Sequence, residues 1–370
     1  MSKLRIIVSV TNDLSTDQRV HKVCNVLHQQ NYEVLLVGRL LPNSLEINDR
    51  EYKTRRLKLW FNKGTLFYAE FQIRLLILLL FSNFDVAHAN DLDTLLPNFL
   101  AVKIRRKHIV YDTHEYFTEV PELQQNPFKK SIWKFVEKSI FPKLEHVFTV
   151  NQSIAEIYHK LYGVAINVLR NVPTQNANII DIELPVELKQ KPFIILQGAG
   201  INIDRGAEEL VEAMNYINAA NLLIIGDGDV MPNLRRYVAE SNLSSKVFFM
   251  PKKPYAELMA YTCKAAIGVT LDKDTNLNYK LSLPNKIFDY VRAEIPILAS
   301  PLIETKRIFD EFNVGCLIPS HHPQDIADTI NFMLSNEAPT IVWEKYLKQI
   351  SLETSWEKES EKLMELYGKF

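Results

Sequence analysis

The feature that most constrains this 370-residue chain is a regular alternation of short apolar segments with longer amphipathic ones. The short segments have the length of buried strands, and the longer ones carry apolar residues at helical spacing. Such alternation predicts an α/β fold with doubly wound parallel sheets. In the first half the predicted strands are RIIVSV, EVLLVG, DVAHA, HIVYD and HVFTV. In the second half they are FIILQ, LLIIG, KVFF, AAIGVTL, PILAS and GCLIP.

The chain is too long for one ordinary domain, so we predict two. Residues 174–191 mix polar residues with prolines and show no sustained period, which is typical of a linker. We therefore predict a first domain over 1–173 and a second over 192–352. The last segment, 353–370, is predicted to form an amphipathic helix. Its apolar residues are Trp356, Leu363, Leu366 and Tyr367.

The composition, 47% hydrophobic and 24% charged, is typical of a globular protein. The opening MSKLRIIVSV predicts a first strand rather than a signal peptide. The longest apolar run, Leu75 to Phe81, is too short to span a bilayer. Cys24, Cys263 and Cys316 show no metal-ligand spacing and suit a reducing compartment. We predict a cytoplasmic protein.

The segment SLPNKIFDYVRAEIPILAS predicts a helix followed at once by a strand. Pro284 suits the first helical turn, where its missing N–H would be unpaired anyway. Lys286 adds a full charge to the backbone donors of the helix start. Asp289 lies about one turn further on, where a carboxylate accepts hydrogen bonds from sugar hydroxyls. The pattern predicts a site for an anion beside a polyol, and the alternative is a solvated surface pair of Lys286 and Asp289.

Two upstream segments, FIILQGAGINIDRGAEELVEAM and NLLIIGDGDVMPNLRRYV, each predict a strand, a glycine-containing turn and a helix. Ligands in such sheets bind outside the carboxyl ends of the strands. We therefore expect Arg205 and Lys286 to converge on one diphosphate. The glycines that would allow a close backbone approach or a tight turn are Gly198, Gly200, Gly226 and Gly228.

In this order and spacing, the segments resemble the nucleotide-sugar domain of family 4 glycosyltransferases of the GT-B type. RGAEELVEAM resembles the family's "KG…LI.A" helix, GDG its second turn, and PNKIFDYVRAEIPILAS its "P.K.FEYMA.G.PV.AS" signature. The resemblance covers nearly the whole chain. It implies two Rossmann-like domains facing a cleft and a C-terminal helix that crosses back to the first domain. It also implies transfer from a nucleotide-diphosphate sugar with retention, without a metal or another cofactor.

By this resemblance, Arg205, Lys286 and backbone donors near Gly198 and Gly200 take up the charge of the departing diphosphate. Asp289 would bind the ribose hydroxyls. The other predicted donor-binding residues are Gly226, Gly228, Pro284 and Asn285.

Two positions depart from the family pattern. The family's first acidic residue, eight positions before the second, falls on Leu281. The arginine expected five residues before Arg205 is Gly200. The donor sugar therefore stays open. The candidates to replace the acidic residue are Ser282, Asn285 and Asn278.

Polar residues also follow the strands of the first half. After the first strand, we predict a helix capped by Ser15 or Thr16, with Asp13, Gln18 and Arg19 facing the cleft. This joint has no glycine, so the G-x-G-x-x-G fingerprint of a dinucleotide-binding dehydrogenase is absent.

After DVAHA, Asn90 and Asp91 are predicted to lie at the cleft. Asp91 and Asp93 together match a metal-binding D-x-D pattern. Their carboxylates fit an N-cap and a first helical turn better, and we predict no metal.

His114 lies just past a predicted buried strand, beside Asp112 and Glu115. The resemblance implies that His114 contacts the donor sugar near the reacting carbon, so we group it with Arg205 and Lys286 as catalytic. Glu115 and Glu119 are the nearest candidates to orient an acceptor hydroxyl. Two further predicted cleft residues have alternatives, helix capping for Asn151 and a structural salt bridge for Arg170.

Charge is divided unevenly along the chain. Residues 1–172 carry 23 Lys and Arg against 17 Asp and Glu, a net charge of +6, and residues 173–370 carry −7. Lys130, Lys134 and Lys138 are four apart, and residues 66–81 are unusually apolar. One hypothesis is peripheral contact with an anionic membrane that carries a lipid-linked acceptor. The alternative is a solvated basic face and a buried helix. Nucleic acid is a poor partner, because overall basicity is lacking.

The favoured function is transfer of a sugar to a hydroxyl of a glycan or of a lipid-linked intermediate of cell-surface polysaccharide. The alternatives are another GT-B enzyme, such as a sugar-nucleotide epimerase, and a non-catalytic nucleotide-sugar-binding subunit. A glycoside hydrolase would need two facing carboxylates and no nucleotide-binding groups, which disagrees with the Arg205 and Lys286 joints.

Overall fold

Two wholly parallel sheets form the framework of the computed structural model, which describes residues 3–15, 17–47, 50–175 and 179–370. The chain divides into two units. Unit 1 comprises Met1–Asn171 and Ser360–Phe370, and unit 2 comprises Val172–Glu359. The predicted α/β class with two Rossmann-like domains is confirmed. The domain boundaries at 173, 191 and 352 stay predictions.

The strands of unit 1 are β1 (Arg5–Asp13), β2 (Glu33–Leu40), β3 (Lys53–Lys58), β4 (Val86–Asn90), β5 (His108–Thr113), β6 (Val147–Thr149) and β7 (Ile166–Val168). Their order is β3-β2-β1-β4-β5-β6-β7. The order reverses between β1 and β4, and the crevice outside the carboxyl ends at such a point is where ligands bind. Sequence patterns did not reveal β3 or β7, because KTRRLK is a charged edge strand and β7 has only three residues.

The helices of unit 1 are α1 (Gln18–Gln29), α2 (Gly64–Phe81), α3 (Leu92–Arg105), α4 (Pro121–Gln124), α5 (Pro127–Ile140) and α6 (Gln152–Tyr162). The N-cap of α1 is Asp17, whose carboxylate accepts the N–H of Val20 at 3.0 Å. The prediction of Ser15 as the cap is therefore wrong, and Thr16 lies outside the described residues.

Helix α2 is longer than its most apolar run, because residues from Gly64 onward extend it to 18 residues. In length and composition it is the one helix of the described residues that would be able to cross a membrane, and 28% of it is buried. Its inner stripe packs on the sheet core of unit 1. That stripe is Phe67, Phe71, Leu75, Leu78 and Leu79.

The strands of unit 2 are β8 (Phe193–Gly198), β9 (Asn221–Gly226), β10 (Val247–Met250), β11 (Ile267–Thr270), β12 (Ile297–Ala299) and β13 (Gly315–Leu317). All six were predicted from sequence. Their order is β10-β9-β8-β11-β12-β13. The order reverses between β8 and β11, which makes the carboxyl ends of these two strands the expected ligand-binding position.

The helices that follow along the chain are α7 (Val186–Lys189), α8 (Ala207–Ala213), α9 (Met231–Glu240), α10 (Tyr255–Thr262), α11 (Leu277–Lys280), α12 (Lys286–Arg292), α13 (Ile303–Glu311), α14 (Pro323–Met333), α15 (Thr340–Glu353) and α16 (Trp356–Tyr367). The predicted terminal helix is present as α16, and its four apolar residues are buried. The end of the chain completes unit 1. Tyr367 contacts His88, and Phe370 packs on the rings of His108 and His146.

Candidate active site

Arg205 and Asp272 meet where the strand order of unit 2 reverses. Arg205 follows β8, and Asp272 follows β11. The Arg205 Nη1 atom donates to the Asp272 Oδ2 atom at 2.8 Å, and the guanidinium stacks over the Tyr279 ring at 4.1 Å. Asp272 is fully buried, whereas 30% of the Arg205 side chain is exposed. The salt bridge therefore fixes a guanidinium whose outer part remains reachable from solvent.

Lys286, the first residue of α12, belongs to the same cluster. Burial lowers the pKa of its ammonium, the Asp272 charge raises that pKa, and the Arg205 charge lowers it. The two predicted phosphate ligands, Arg205 and Lys286, are thus near enough for their charges to interact with each other and with Asp272. Asp272 Oδ1 and Arg205 Nε are buried and have no hydrogen-bond partner among the described residues. Polar atoms in this state mark a place where water or a ligand completes the structure.

Asp289 is held by two side chains that sequence reasoning missed. Gln197 donates to Asp289 Oδ2 and the Tyr255 hydroxyl donates to Oδ1, each at 2.9 Å. Thr262 contacts the Gln197 amide oxygen at 2.6 Å. Burial and the Asp289 charge raise the pKa of Tyr255, so its hydroxyl keeps its proton and donates. Asp289 is therefore an oriented carboxylate, unlike a member of a solvated surface pair.

The start of α12 differs from its prediction. Pro284 lies two residues before the helix instead of in the first turn. The backbone N–H groups of Ile287 and Phe288 already donate to the carbonyl groups of Pro284 and Asn285, each at 3.0 Å. The helix start consequently offers fewer free backbone donors than the sequence pattern implied. Asn285 is exposed at this end of the helix.

Two of the four predicted donor-site glycines serve the packing between loops. A Cβ atom at Gly226, where φ is +150°, would overlap the carbonyl oxygen of Gly198, and one at Gly228 would overlap that of Ile201. Gly198 and Gly226 are register partners at the ends of β8 and β9. Gly200 is exposed, and its added Cβ would approach only the Asn202 side-chain nitrogen, at 3.3 Å. An added Cβ atom at Gly198 would be 3.7 Å from the Ile201 side chain, so Gly198 and Gly200 are the two glycines with room for a ligand.

The position of the absent acidic residue is part of the core. Leu281 is 4% exposed, so no side chain at this position reaches solvent in the present packing. Of its predicted replacements, Ser282 donates to the Tyr279 carbonyl group and Asn278 is buried. Asn285 is the exposed one of the three.

In unit 1, His114 lies between two carboxylates at the end of β5. Its Nδ1 atom is 3.2 Å from Asp91 Oδ2, and its Nε2 atom is 3.5 Å from Asp112 Oδ2 and 3.1 Å from Asn90 Oδ1. Burial disfavours the charged imidazole, but Asp91 and Asp112 outweigh burial and raise the pKa of His114 to about 9. His114 is thus a cation at neutral pH, and 18% of its side chain is exposed.

Arg19 was predicted to face the cleft, but it is buried. Two of its nitrogens donate to the Asp112 carboxylate, at 2.8 and 3.1 Å, and a third donates to the Leu169 carbonyl group. Although burial opposes ionisation, Arg19 and His114 hold the pKa of Asp112 well below its usual range. Arg19 therefore orients the carboxylate that contacts His114.

The other predicted residues of unit 1 have local roles. Asp13 accepts from Ser15 and Ser44, and Gln18 is exposed at the start of α1. Asn151 caps α6 by accepting the Ile154 N–H at 3.0 Å. The remaining positions are Glu115 and Arg170, both half-buried in unit 1.

One more residue near His114, His88, lacked a sequence signal. His88, on β4, contacts the Tyr367 hydroxyl at 2.7 Å, and its other ring nitrogen is 4.0 Å from Asp112. Burial lowers the pKa of His88 to about 4, so its ring is neutral. Asp93 accepts from Thr11 at 2.6 Å, whereas Asp91 accepts from the His114 backbone. The two carboxylates of the D-x-D pattern thus have separate partners.

Among the described residues, no group of three or more His, Cys, Asp or Glu side chains is arranged to hold a metal ion.

Glu119 was a candidate to orient an acceptor, and its carboxylate pairs with Lys130 at 2.7 Å and Lys134 at 2.9 Å. It belongs to a surface ion-pair network.

Comparison with known proteins identifies both halves. Residues 17–173 match the model described as Glycosyltransferase Family 4, and residues 192–336 match Glycosyl transferases group 1. No curated protein matches the chain by sequence.

Similar solved structures include sucrose-phosphate synthase from Thermosynechococcus elongatus, with 16% identity, 99% of each chain covered and a TM-score of 0.79. A glycosyltransferase from Rickettsia africae ESF-5 has 15% identity, 100% of this chain and 99% of that chain covered, and a TM-score of 0.75. Anabaena HepE in complex with UDP and glucose has 13% identity, coverage of 99% and 100%, and a TM-score of 0.71.

Proposed function

This chain belongs to the GT-B glycosyltransferases of the family 4 type, and we propose that it transfers a sugar from a nucleotide-diphosphate donor to a hydroxyl acceptor. The observation that carries this proposal is the cluster of Arg205, Lys286 and Asp272. Two cations from distant parts of the chain share one acidic neighbour where β8 and β11 end. The buried Asp272 carboxylate pairs with Arg205 at 2.8 Å, and its charge raises the pKa of Lys286 against the effect of burial.

Arg205 and Lys286 would stabilise the negative charge of the departing diphosphate, which is the main demand of glycosyl transfer. The planar guanidinium of Arg205 can donate two hydrogen bonds to a phosphate, and its hydrogen bond to Asp272 fixes its orientation. Lys286 supplies a point charge. Asp289, oriented by Gln197 and Tyr255, would accept hydrogen bonds from the ribose. The exposed Gly200 would let backbone N–H groups approach the phosphates.

His114 would lie by the donor sugar, as the family resemblance implies. Its positive charge suits a group that stabilises a leaving phosphate oxygen or holds a sugar hydroxyl. Glu115 is the nearest candidate to orient the acceptor. We propose retention of anomeric configuration and a glycan or lipid-linked acceptor, with the enzyme in the cytoplasm beside a membrane. A complex of the same fold contains UDP and glucose, so UDP-sugars are the first donors to test.

The test combines donor binding with turnover. Thermal-shift measurements against UDP, GDP and dTDP sugars should reveal one stabilising donor, since a ligand at 100 times its Kd adds about 2.7 kcal/mol to the free energy of unfolding. Arg205→Ala and Lys286→Ala should each lower kcat/KM for that donor by roughly 100-fold. The matched control is Lys280→Ala, because Lys280 is partly exposed and pairs with the exposed Asp274. Equal activity of all four proteins would refute the proposed site.

A second candidate is a nucleotide-sugar-binding subunit without turnover. It is favoured by the buried Leu281, which occupies the family's position for an acidic residue. Binding of a donor with neither transfer nor hydrolysis, for every acceptor supplied, would support this candidate.

A further inference from the structure

The outward side of three helices in unit 1 carries large apolar side chains in regular rows. On α2 and α5 the exposed residues recur three, four or seven positions apart, which places each set on one side of its helix. Phe81 is 86% exposed, and Phe128 and Phe135 are 73% exposed each. The rows are Leu66, Ile73, Ile77 and Phe81 on α2, Leu100 and Ile104 on α3, and Phe128, Ile132 and Phe135 on α5.

These rows are neighbours. In the strand order of unit 1, the connections β3 to β4, β4 to β5 and β5 to β6 all advance in one direction, so right-handed crossovers place α2, α3 and α5 on the same side of the sheet. Helix α2 packs on α3, and α3 packs on α5. Tyr68 of α2 also meets Trp133 of α5 edge-on, with ring centroids 5.4 Å apart. We call the combined outer surface of α2, α3 and α5 the apolar face.

The exposed charged side chains on α2, α3 and α5 themselves are cationic. The three helices carry the carboxylates Glu70, Asp93 and Glu137, of which Asp93 and Glu137 are buried. Glu70 accepts the backbone N–H groups of Trp60 and Phe61 and pairs with Arg74 at 2.8 Å. The exposed cations on or next to these helices are Lys63, Lys103, Arg106, Lys134 and Lys138. Lys134 shares Glu119 with Lys130.

An aromatic residue suited to a membrane interface adjoins α2. Trp60 is 82% exposed, and the Arg74 guanidinium lies 5.0 Å from the centre of its ring. The hydrogen bond from the Trp60 backbone N–H to the Glu70 carboxylate holds Trp60 beside the exposed row of α2. Tryptophan and arginine both favour the level of lipid headgroups.

We propose that the apolar face docks on an anionic lipid membrane. Apolar side chains would enter the boundary between headgroups and acyl chains, and the lysines and arginines would contact lipid phosphates. A second copy of this chain fits poorly, because a symmetric contact would bring the same cations together. The proposal rests on the proposed function in one respect, the lipid-linked acceptor that would give the contact its purpose.

The test is flotation of the 370-residue chain with vesicles of phosphatidylcholine containing about one third phosphatidylglycerol. At low salt we expect the protein to float with these vesicles, and to float much less with phosphatidylcholine alone or at high salt. The double substitution Phe128→Glu with Phe135→Glu should lower the bound fraction at least tenfold. The control is Phe332→Glu, since Phe332 is an exposed phenylalanine of unit 2. Lys103→Glu and Lys138→Glu should each weaken binding by about fivefold or more.

Absence of flotation at low salt, or equal flotation of the phenylalanine variant, would overturn the proposal. So would a dimer in sedimentation that the phenylalanine substitutions convert to a monomer, because the face would then join two copies. Donor-induced stabilisation of the same variants is measured in parallel. If the native protein binds a donor but does not float with the vesicles, only the membrane proposal fails. If the native protein binds no donor, the proposed function fails.

Discussion

Asp272 is the acidic neighbour that Arg205 and Lys286 share. It neutralises Arg205 directly and raises the pKa of Lys286 against the effect of burial. It is 67 positions from Arg205 in sequence, with no periodic relation to it. Sequence reasoning predicted Arg205, Lys286 and Asp289 as donor ligands because charged residues lie in the loop after a predicted strand or near the start of a helix. It missed Asp272, Gln197 and Tyr255, since a partner's identity depends on which strands become neighbours.

Asp272→Asn tests this role. The change removes the charge that favours the Lys286 ammonium, so the Lys286 pKa should fall further below its usual value. Donor KM should rise about tenfold, and the alkaline limit of donor binding should move to lower pH. Titration of donor affinity against pH checks both effects. Asp274→Asn serves as the control, because Asp274 is an exposed partner of Lys280. An unchanged alkaline limit would show that Asp272 is merely structural.

His114 predicts a pH dependence of stability. Its folded pKa of about 9 lies above the ordinary value of 6.5, so its charge stabilises the native state fully below pH 6.5. This stabilisation is lost as the pH rises through 9, by roughly 3 kcal/mol in all. The difference in free energy of unfolding between the native protein and His114→Gln should therefore shrink from pH 6.5 to 9.

Urea unfolding at several pH values measures this difference. His28→Gln, in the last turn of α1, is the matched control. A difference for His114→Gln that does not change with pH would mean that Asp91 and Asp112 do not hold a charged imidazole.

At the scale of elements, hydrogen bonds from backbone N–H groups join the two loops after β8 and β9. Ile201 N–H donates to the Asp227 carbonyl oxygen at 2.9 Å, and Asp229 accepts the Ile203 N–H at 3.1 Å. Gly226 and Gly228 permit this approach. The sequence showed Gly226 and Gly228, but glycine spacing alone does not distinguish a glycine needed for loop packing from one that makes room for a ligand.

Paired substitutions separate these roles. Gly226→Ala should lower the free energy of unfolding by about 3 kcal/mol, because its φ of +150° and the nearby Gly198 carbonyl group exclude a methyl group. Gly200→Ala should leave stability within about 1 kcal/mol and weaken donor binding. Thermal unfolding with and without the donor measures both. A stable Gly226→Ala variant would contradict the packing role.

Strands and helices were predicted where their patterns were strong. The six strands of unit 2 are apolar runs, so hydrophobicity alone marks them, and packing buries β8, β9, β11 and β12 along nearly their whole length. Strand β3 escaped prediction because its position at the sheet edge leaves its charged side chains in water. The predicted cap of α1 was one or two residues too early, since Ser15, Thr16 and Asp17 all have capping side chains.

At the level of the whole molecule, unit 1 is assembled from both ends of the chain. Tyr367 is buried against β4 and lies 2.7 Å from His88, which adjoins Asp112. The amphipathic pattern of α16 predicted a buried face, but not its contact with this histidine. The last residues therefore support the strand ends that carry Asn90 and His114.

Tyr367→Ala should destabilise unit 1 by about 3–5 kcal/mol, because the substitution leaves a large cavity and removes the hydrogen-bond partner of the buried His88 ring. Donor-induced stabilisation of unit 2 should persist, since its ligands are elsewhere in the chain. Calorimetry with and without donor tests both statements. Phe332→Ala, on the exposed side of α14, is the control. Loss of donor stabilisation in Tyr367→Ala would mean that unit 2 needs an intact unit 1.

Helix α10 offers an experimental handle. Its first residue, Tyr255, touches Asp289, its last, Thr262, touches Gln197, and the next residue, Cys263, is an exposed thiol. Cys24 is buried and Cys316 half-buried, so a maleimide dye would attach chiefly at Cys263. A fluorophore on Cys263 would be attached at the C-terminal end of α10, and the N-terminal end of this helix contacts Asp289, the carboxylate assigned to the ribose. A change in its emission would therefore report nucleotide binding in real time.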